Sequence, residues 1–212
     1  MRGSDVPAFV IGIGGGSAAG KSAVAEELQR LLKPLRVCLI NQDRYFLTGE
    51  RLPQHAAPGG GRIWPDHNHP DSFDFPSLRR DLQAAREGKA DIIVVEGILV
   101  LHDPSLRALM DLKLFVDAEA DERIVRRIRR NVARGYDLDG ICGFYLDSVR
   151  YRHREFCEPT RSHADLIVPG GIHEGDRRKA LLLDVCQRVR TARGGSPVGS
   201  EDLRAAGEPA HE

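Results

Sequence analysis

The residues whose types and spacing could do chemistry begin with "GGSAAGKS", Gly15 to Ser22, which fits G-x-x-x-x-G-K-[ST]. Glycines let such a stretch turn tightly enough for successive backbone N–H groups to surround a phosphate, and a helix starting at its end adds a positive dipole end. Lys21 then reaches the outer phosphates, and the Ser22 hydroxyl is a ligand for Mg²⁺. Gly15, Gly16, Ser17, Ala18, Ala19, Gly20, Lys21, Ser22 and Ala23 are therefore the expected cradle for a nucleoside triphosphate, with ATP and Mg²⁺ as the implied ligands. The bland alternative is a glycine-rich turn with an incidental lysine; an apolar run before the stretch and a helical pattern after it count against that.

Two acids follow runs that read as strands: Asp43 in "INQDRYF" and Glu96 in "VVEG". Open parallel sheets place their ligands at such strand ends, so both would face the phosphates. Glu96 is suited to holding the water shell of Mg²⁺, and Asp43 to accepting a proton from an attacking hydroxyl, so that Ser22, Asp43 and Glu96 are the oxygen donors available to the metal. A carboxylate in that place also serves elsewhere as a helix cap or surface group. The run "ERIVRRIRRNVARG" supplies arginines, of which Arg127, Arg130 and Arg134 recur at three- and four-residue spacing and share a helix face. That face could close over a transferring phosphoryl group and balance the charge on its oxygens, Arg134 from the ATP side. A solvated face is the ordinary reading of such a run. A nucleic-acid patch is disfavoured, because 31 basic and 31 acidic residues cancel and no aromatics interleave the arginines. The absence of an N-K-x-D guanine reader sets GTPases aside.

These groups need elements to hold them. Five apolar runs rich in Val, Ile and Leu, at residues 8–14, 36–41, 91–97, 112–118 and 164–170, do not alternate with polar residues and read as buried parallel strands. Helical patterns lie between them: "KSAVAEELQRLL", a helix starting near Pro76 with Asp74 as its cap, a long basic stretch at 119–157 and a last helix at 175–190. Strand and helix in alternation predict an α/β fold, a three-layer arrangement around a parallel sheet. One domain is expected over residues 1–193, with a lid at about 119–145; the Gly-, Pro-, Ser- and Glu-rich residues 194–212 are expected to be a disordered tail. Cys38, Cys142, Cys157 and Cys186 form no CxxC pair, which fits reduced thiols. No run approaches the roughly 18 apolar residues of a membrane span, and the start lacks the pattern of a secretion signal. A cytoplasmic protein with no nucleic-acid or membrane partner is the expectation.

The stretch "IWPDHNHPDSFD", residues 63 to 74, holds three aspartates and two histidines without apolar rhythm. Zinc at Asp66, His67, His69 and Asp71 is set aside because alternating residues in a proline-punctuated loop rarely converge on one ion.

With these motifs in order, the chain resembles the uridine kinase family of P-loop nucleoside kinases, from the first strand to about residue 171. "GGGSAAGKS", "NQDRYF", "NHPDSFDF", "EGILVLHDPSLRALMDLKLFVDAEADERIVRRIRR" and "EFCEPTRSHADLIVP" carry the likeness. The resemblance implies a five-stranded parallel sheet with a helical arginine lid, transfer of the ATP γ-phosphate to a nucleoside 5′-hydroxyl, and a tendency to form homo-oligomers. It makes Asp43 the general base, Ser22 and Glu96 the metal shell, Lys21, Arg127 and Arg130 catalytic cations, and Arg134 a lid contact to phosphate.

Departures from the family fall on the acceptor side. A hairpin that reads the pyrimidine in typical members, between the second helix and the strand carrying Glu96, has no room in "REGKADIIVVEG". Asn68 stands where the family has a ribose-binding aspartate, with Asp66 as a substitute, and Tyr136 and Phe144 replace an arginine and a glutamine. Asp43, Tyr45, Trp64, Asp66, Asn68, Tyr136 and Phe144 are thus the expected acceptor contacts, the aromatics by stacking on a flat ring or by plain core packing. A nucleoside kinase of uridine or cytidine type leads. A kinase for nicotinamide riboside or another hydroxylated metabolite is the alternative within the class, and an ATP-binding regulator without catalysis is the alternative outside it.

Overall fold

A computed structural model describes residues 7–58 and 60–194. The tail expected from residue 194 onward lies, apart from Gly194, outside the described residues.

All five apolar runs become strands of one parallel sheet: β1 (Phe9–Gly15), β2 (Val37–Asn41), β5 (Ile92–Glu96), β6 (Leu112–Asp117) and β7 (Leu166–Pro169), in the order β2-β5-β1-β6-β7. The middle strands are apolar on both faces because both faces are covered: Ile11, Ile13, Ile92, Ile93, Val94 and Leu114 have no exposed surface. On one side α1 (Lys21–Leu31) and α7 (Gly175–Ala192) pack through Val24, Leu28, Leu182, Val185 and Val189. On the other, α2 (Phe75–Arg86) and the short α3 (Pro104–Arg107) pack through Leu78, Leu82 and Leu106. These layers are the three-layer α/β architecture expected. Asp74 does cap α2: its carboxylate accepts from the Ser77 N–H at 3.0 Å and from the Ser77 hydroxyl at 2.7 Å.

Two features position the site without belonging to the sheet. The arginine-rich α4 (Ala120–Val132) and α5 (Leu138–Phe144) form a helical pair, after which the chain runs on helically to His163, including two wider π-type turns and the short α6 (Arg150–Arg152). Between β2 and α2 lies an antiparallel hairpin, β3 (Gln54–Ala56) and β4 (Ile63–Pro65), which pairs His55 directly opposite Trp64. The sequence reading had no strand there. Three-residue strands such as "QHA" and "IWP" are too short to show a period. The link between α2 and β5, by contrast, is the short connection that "REGKADIIVVEG" suggested.

Candidate active site

The carboxyl edge of the sheet sets the site. β1 runs into the glycine loop, and the registers β1 to β5 and β2 to β5 bring Ile13 and Asn41 level with Glu96. Gly15 has φ +138°, and a Cβ there would sit 2.5 Å from the Val116 carbonyl oxygen, so close strand packing leaves room for no side chain. Gly20 enters α1 at φ +104°, and α1 has no acid in its first turn to offset its dipole. Lys21 is buried, and its Nζ donates to the Gly16 carbonyl oxygen at 3.0 Å. Burial pulls its pKa down, while the nearby charges of Glu96 and Asp43 pull the other way. A buried ammonium that lines the cleft is suited to an anion of high charge.

Opposite the loop, the Ser22 hydroxyl donates to Glu96 Oε1 at 2.8 Å, and Asn41 Nδ2 donates to the same oxygen at 2.7 Å. Asn41 Oδ1 in turn accepts the Asp43 N–H at 2.7 Å, so one amide fixes the relation between the two carboxylates. Burial raises the Glu96 pKa, opposed by Lys21 and the Ser22 bond. Ser22, Glu96 and Asp43 border one cleft and offer the all-oxygen donor set that Mg²⁺ requires, so the residues present fit this ion.

Arg126, Arg127, Arg130 and Arg134 all line the cleft from the lid side. Arg127 Nη1 donates to the Ser17 hydroxyl at 3.1 Å, and its guanidinium lies 5.6 Å over the Phe144 ring. Burial, aided by the charge of Arg130, lowers the Arg127 pKa to about 10, so it remains a cation at neutral pH. Arg130 is lowered by burial and by Arg134, and Asp43 works in the opposite direction. Arg126 ties the lid to the loops beneath, donating to Gly170 O at 2.9 Å and to Glu122 at 2.8 Å. Arg123 packs behind the glycine loop: a Cβ on Gly16 would lie 2.5 Å from its Nη1.

Together these groups border a cleft of about 1060 Å³. Ser17, Ala18, Gly20, Lys21, Ser22, Ala23, Asp43, Glu96, Arg127, Arg130 and Arg134 line it, and so do Trp64, Asn68, Tyr136 and Phe144. Gly15, Gly16 and Ala19 stand behind the lining and shape it through the backbone. Trp64 and Phe144 touch each other, with centroids 5.2 Å apart and planes tilted by 52°, so they form one wall rather than a slot for a ring between them. Their partner is therefore partly each other, between the two roles expected.

Two expected acceptor contacts lie elsewhere. The Tyr45 hydroxyl donates to Asp81 of α2 at 2.7 Å, and burial and that bond push its pKa up to about 12. Asp66 has no exposed surface; its carboxylate accepts from Arg152 Nε at 2.7 Å and from the Asn68 N–H at 3.1 Å, and it does not line the cleft. An arginine of α6, beyond the lid, takes the carboxylate expected to meet acceptor hydroxyls. Conversely, Asn41, Phe46, His67, Asn131 and Ile141 line the cleft without having been singled out. Asn41 was legible as the last residue of β2 beside Asp43; the others sit in loops and helices whose inward faces no local pattern marks.

A P-loop, carboxylates beyond two strand ends and an arginine lid over a parallel sheet define a P-loop phosphotransferase. The sequence matches the model of the Phosphoribulokinase / Uridine kinase family over residues 68–174. It is 38% identical over 198 residues to the uridine kinase of Brevibacillus brevis (strain 47), covering 82% of this chain and 89% of that protein. To the uridine kinase of Clostridium botulinum (strain Okra) it is 36% identical over 188 residues, 77% of this chain and 89% of that one. A solved structure of a putative fructose transport system kinase from Silicibacter sp. TM1040 shares the fold, with TM-score 0.65, 18% identity, and 80% and 93% of the two chains covered. The phosphoribulokinase of Rhodobacter spheroides does so with TM-score 0.54, 15% identity, and coverage of 78% and 71%. The chain belongs to the phosphoribulokinase/uridine kinase family, and it is an ATP-dependent phosphotransferase with an alcohol group as acceptor. Among the described residues, no helix is long and apolar enough to cross a membrane.

Proposed function

We propose that the protein transfers the γ-phosphoryl group of ATP, with Mg²⁺, to the 5′-hydroxyl of a nucleoside of the uridine or cytidine class. The observation that carries this reading is the place of Asp43. It lines one cleft together with Lys21, Glu96 and Arg130, which would meet the phosphates, and with Trp64, His67 and Asn68, which would border the acceptor. The similarity to uridine kinases over most of the chain supports the acceptor class.

In this reading Asp43 orients the acceptor hydroxyl and takes its proton as the oxygen forms a bond to the γ-phosphorus. The bond from that phosphorus to the β–γ bridging oxygen breaks, and ADP leaves. Lys21, Arg127 and Arg130 balance the charge on the transferring group, Arg134 holds the triphosphate from the lid, and lid closure excludes water. Ser22 and Glu96, with Asp43 beside them, would hold Mg²⁺, which when bound neutralises charge on the phosphate oxygens. Trp64, Asn68, Tyr136 and Phe144 would border the base and ribose. All four cysteines are free, which fits a cytoplasmic setting.

A second reading, a kinase for nicotinamide riboside or another ribosyl metabolite, is favoured by one observation. Only residues 87–91 separate α2 from β5, so no hairpin reaches the base from there, and the aromatic wall around Trp64 takes its place. The presence of both Asp43 and Glu96 in the cleft weighs against a non-catalytic regulator. ADP release measured with ATP and Mg²⁺ against uridine, cytidine, nicotinamide riboside and simple sugars tests the choice. Turnover of uridine or cytidine is expected; turnover of nicotinamide riboside alone would replace the first reading by the second.

A further inference from the structure

Outside the cleft, one polar network stands apart from the catalytic groups. Arg152, at the end of α6, is only 17% exposed at its side chain, and the Asp66 carboxylate that it contacts is wholly buried. From Nε it donates to Asp66 Oδ2 at 2.7 Å, from Nη1 to Glu155 at 2.6 Å, and from Nη2 to His55 Nδ1 at 3.2 Å. Accepting at Nδ1 leaves the His55 proton on Nε2, which points at the Asp147 carbonyl oxygen 3.0 Å away. The Asp147 carboxylate in turn accepts the Trp64 indole N–H at 3.0 Å. Asp66 also holds the Asn68 N–H. Two cleft residues of this region, Trp64 and Asn68, are thus tied to the helix beyond the lid, Asn68 through Asp66 and Arg152, Trp64 through Asp147 and its cross-strand partner His55.

We propose that Arg152, which does not reach the cleft, is a positioning residue that seats the β3–β4 hairpin and the Asn68 loop and thereby sets the affinity for the acceptor rather than for ATP. A guanidinium serves three acceptors in three directions, which a lysine ammonium on a flexible stem does not reproduce. Without it the buried Asp66 charge has no counter-ion, and the loop must move to hydrate it. The placement of the acceptor at the Trp64 end rests on the nucleoside kinase reading.

The test uses the fact that Trp64 is the sole tryptophan of the chain. In Arg152→Met, Trp64 emission should shift to the red and be quenched more readily by acrylamide. The KM for uridine should rise about tenfold or more, with kcat and the KM for ATP changing less than about threefold. Replacing both charges, in Asp66→Asn/Arg152→Met, should restore emission and bring the uridine KM back to within about threefold of wild type, because a neutral pair needs no counter-ion. If Arg152→Met does not fold, as judged by circular dichroism, Arg152→Lys carries the same comparison, with an intermediate loss. Unchanged Trp64 emission, or a parallel rise of both KM values, overturns the proposal. The emission arm needs no acceptor, so a wild-type protein that phosphorylates no nucleoside would remove the nucleoside reading while Trp64 still decides the role of Arg152.

Discussion

Asp43 and Asp66 are both aspartates in polar stretches just beyond a strand, and they have opposite fates. Asp43 borders the cleft, its backbone held by Asn41, whereas Asp66 is sealed inside by Arg152. The difference sets what substitution should do. On the proposed mechanism Asp43→Asn removes the base without changing shape, so kcat is expected to fall by about 100-fold or more while ATP affinity, followed by equilibrium binding, stays near wild type. Near-normal turnover in that variant would remove Asp43 from the role of base. Legibility at this scale was uneven. Gly15, Gly20, Lys21 and Ser22 were readable because the phosphate cradle is a local backbone motif. Tyr45 was misplaced because its partner Asp81 lies 36 residues on, across a contact that no local pattern reports.

Elements differ in the same way. The five core strands and α2 could be read directly, since burial on two faces, or on one stripe, leaves a period in the residues themselves. The Asp74 cap is part of that legible set and gives a clean test of stability apart from chemistry. Asp74→Ala should lower the unfolding free energy by about 1 kcal/mol in urea titrations, with kcat and both KM values unchanged. A loss of activity without a loss of stability would mean that Asp74 does more than cap. In α4 the arginine spacing correctly marked the face toward the cleft, as Arg127, Arg130 and Arg134 show. Arg126 lines the cleft as well, and Arg123 and Arg126 bond to the Ala118 and Gly170 carbonyl oxygens and so fasten the lid to its base. The β3–β4 hairpin escaped because each strand is three residues long and its pairing depends on contacts with the helix beyond the lid.

For the whole molecule, the glycine loop, the lid and the helix that follows it meet around His153, which packs against Gly16 with Nδ1 buried and, among the described residues, without a hydrogen-bond partner. Burial lowers its pKa to about 4, helped by the positive charges of Arg123 on α4, Lys21 on α1 and Arg154; a Glu158 carboxylate oxygen lies 3.1 Å from Nε2. The unfolded chain, with its histidine near 6.5, therefore binds more protons than the folded one between the two values. This part of the stability is complete above about pH 6.5 and is lost as the pH falls toward about 4, by at most about 3 kcal/mol. Urea midpoints at pH 7.5 and 5.0 should show the loss in the wild type and a smaller one in His153→Gln; equal losses would assign the effect to other groups. By itself the sequence determined the parallel sheet, the phosphate cradle, the cap of α2 and the arginine stripe, because each follows from periodicity or from a motif contained within one stretch of chain. Only the tertiary structure decided which polar residues line the cleft and which are sealed by a distant partner. Asp66 and Arg152 are 86 positions apart, and the same carboxylate would bind a substrate or anchor a hairpin according to what the rest of the fold brings to it.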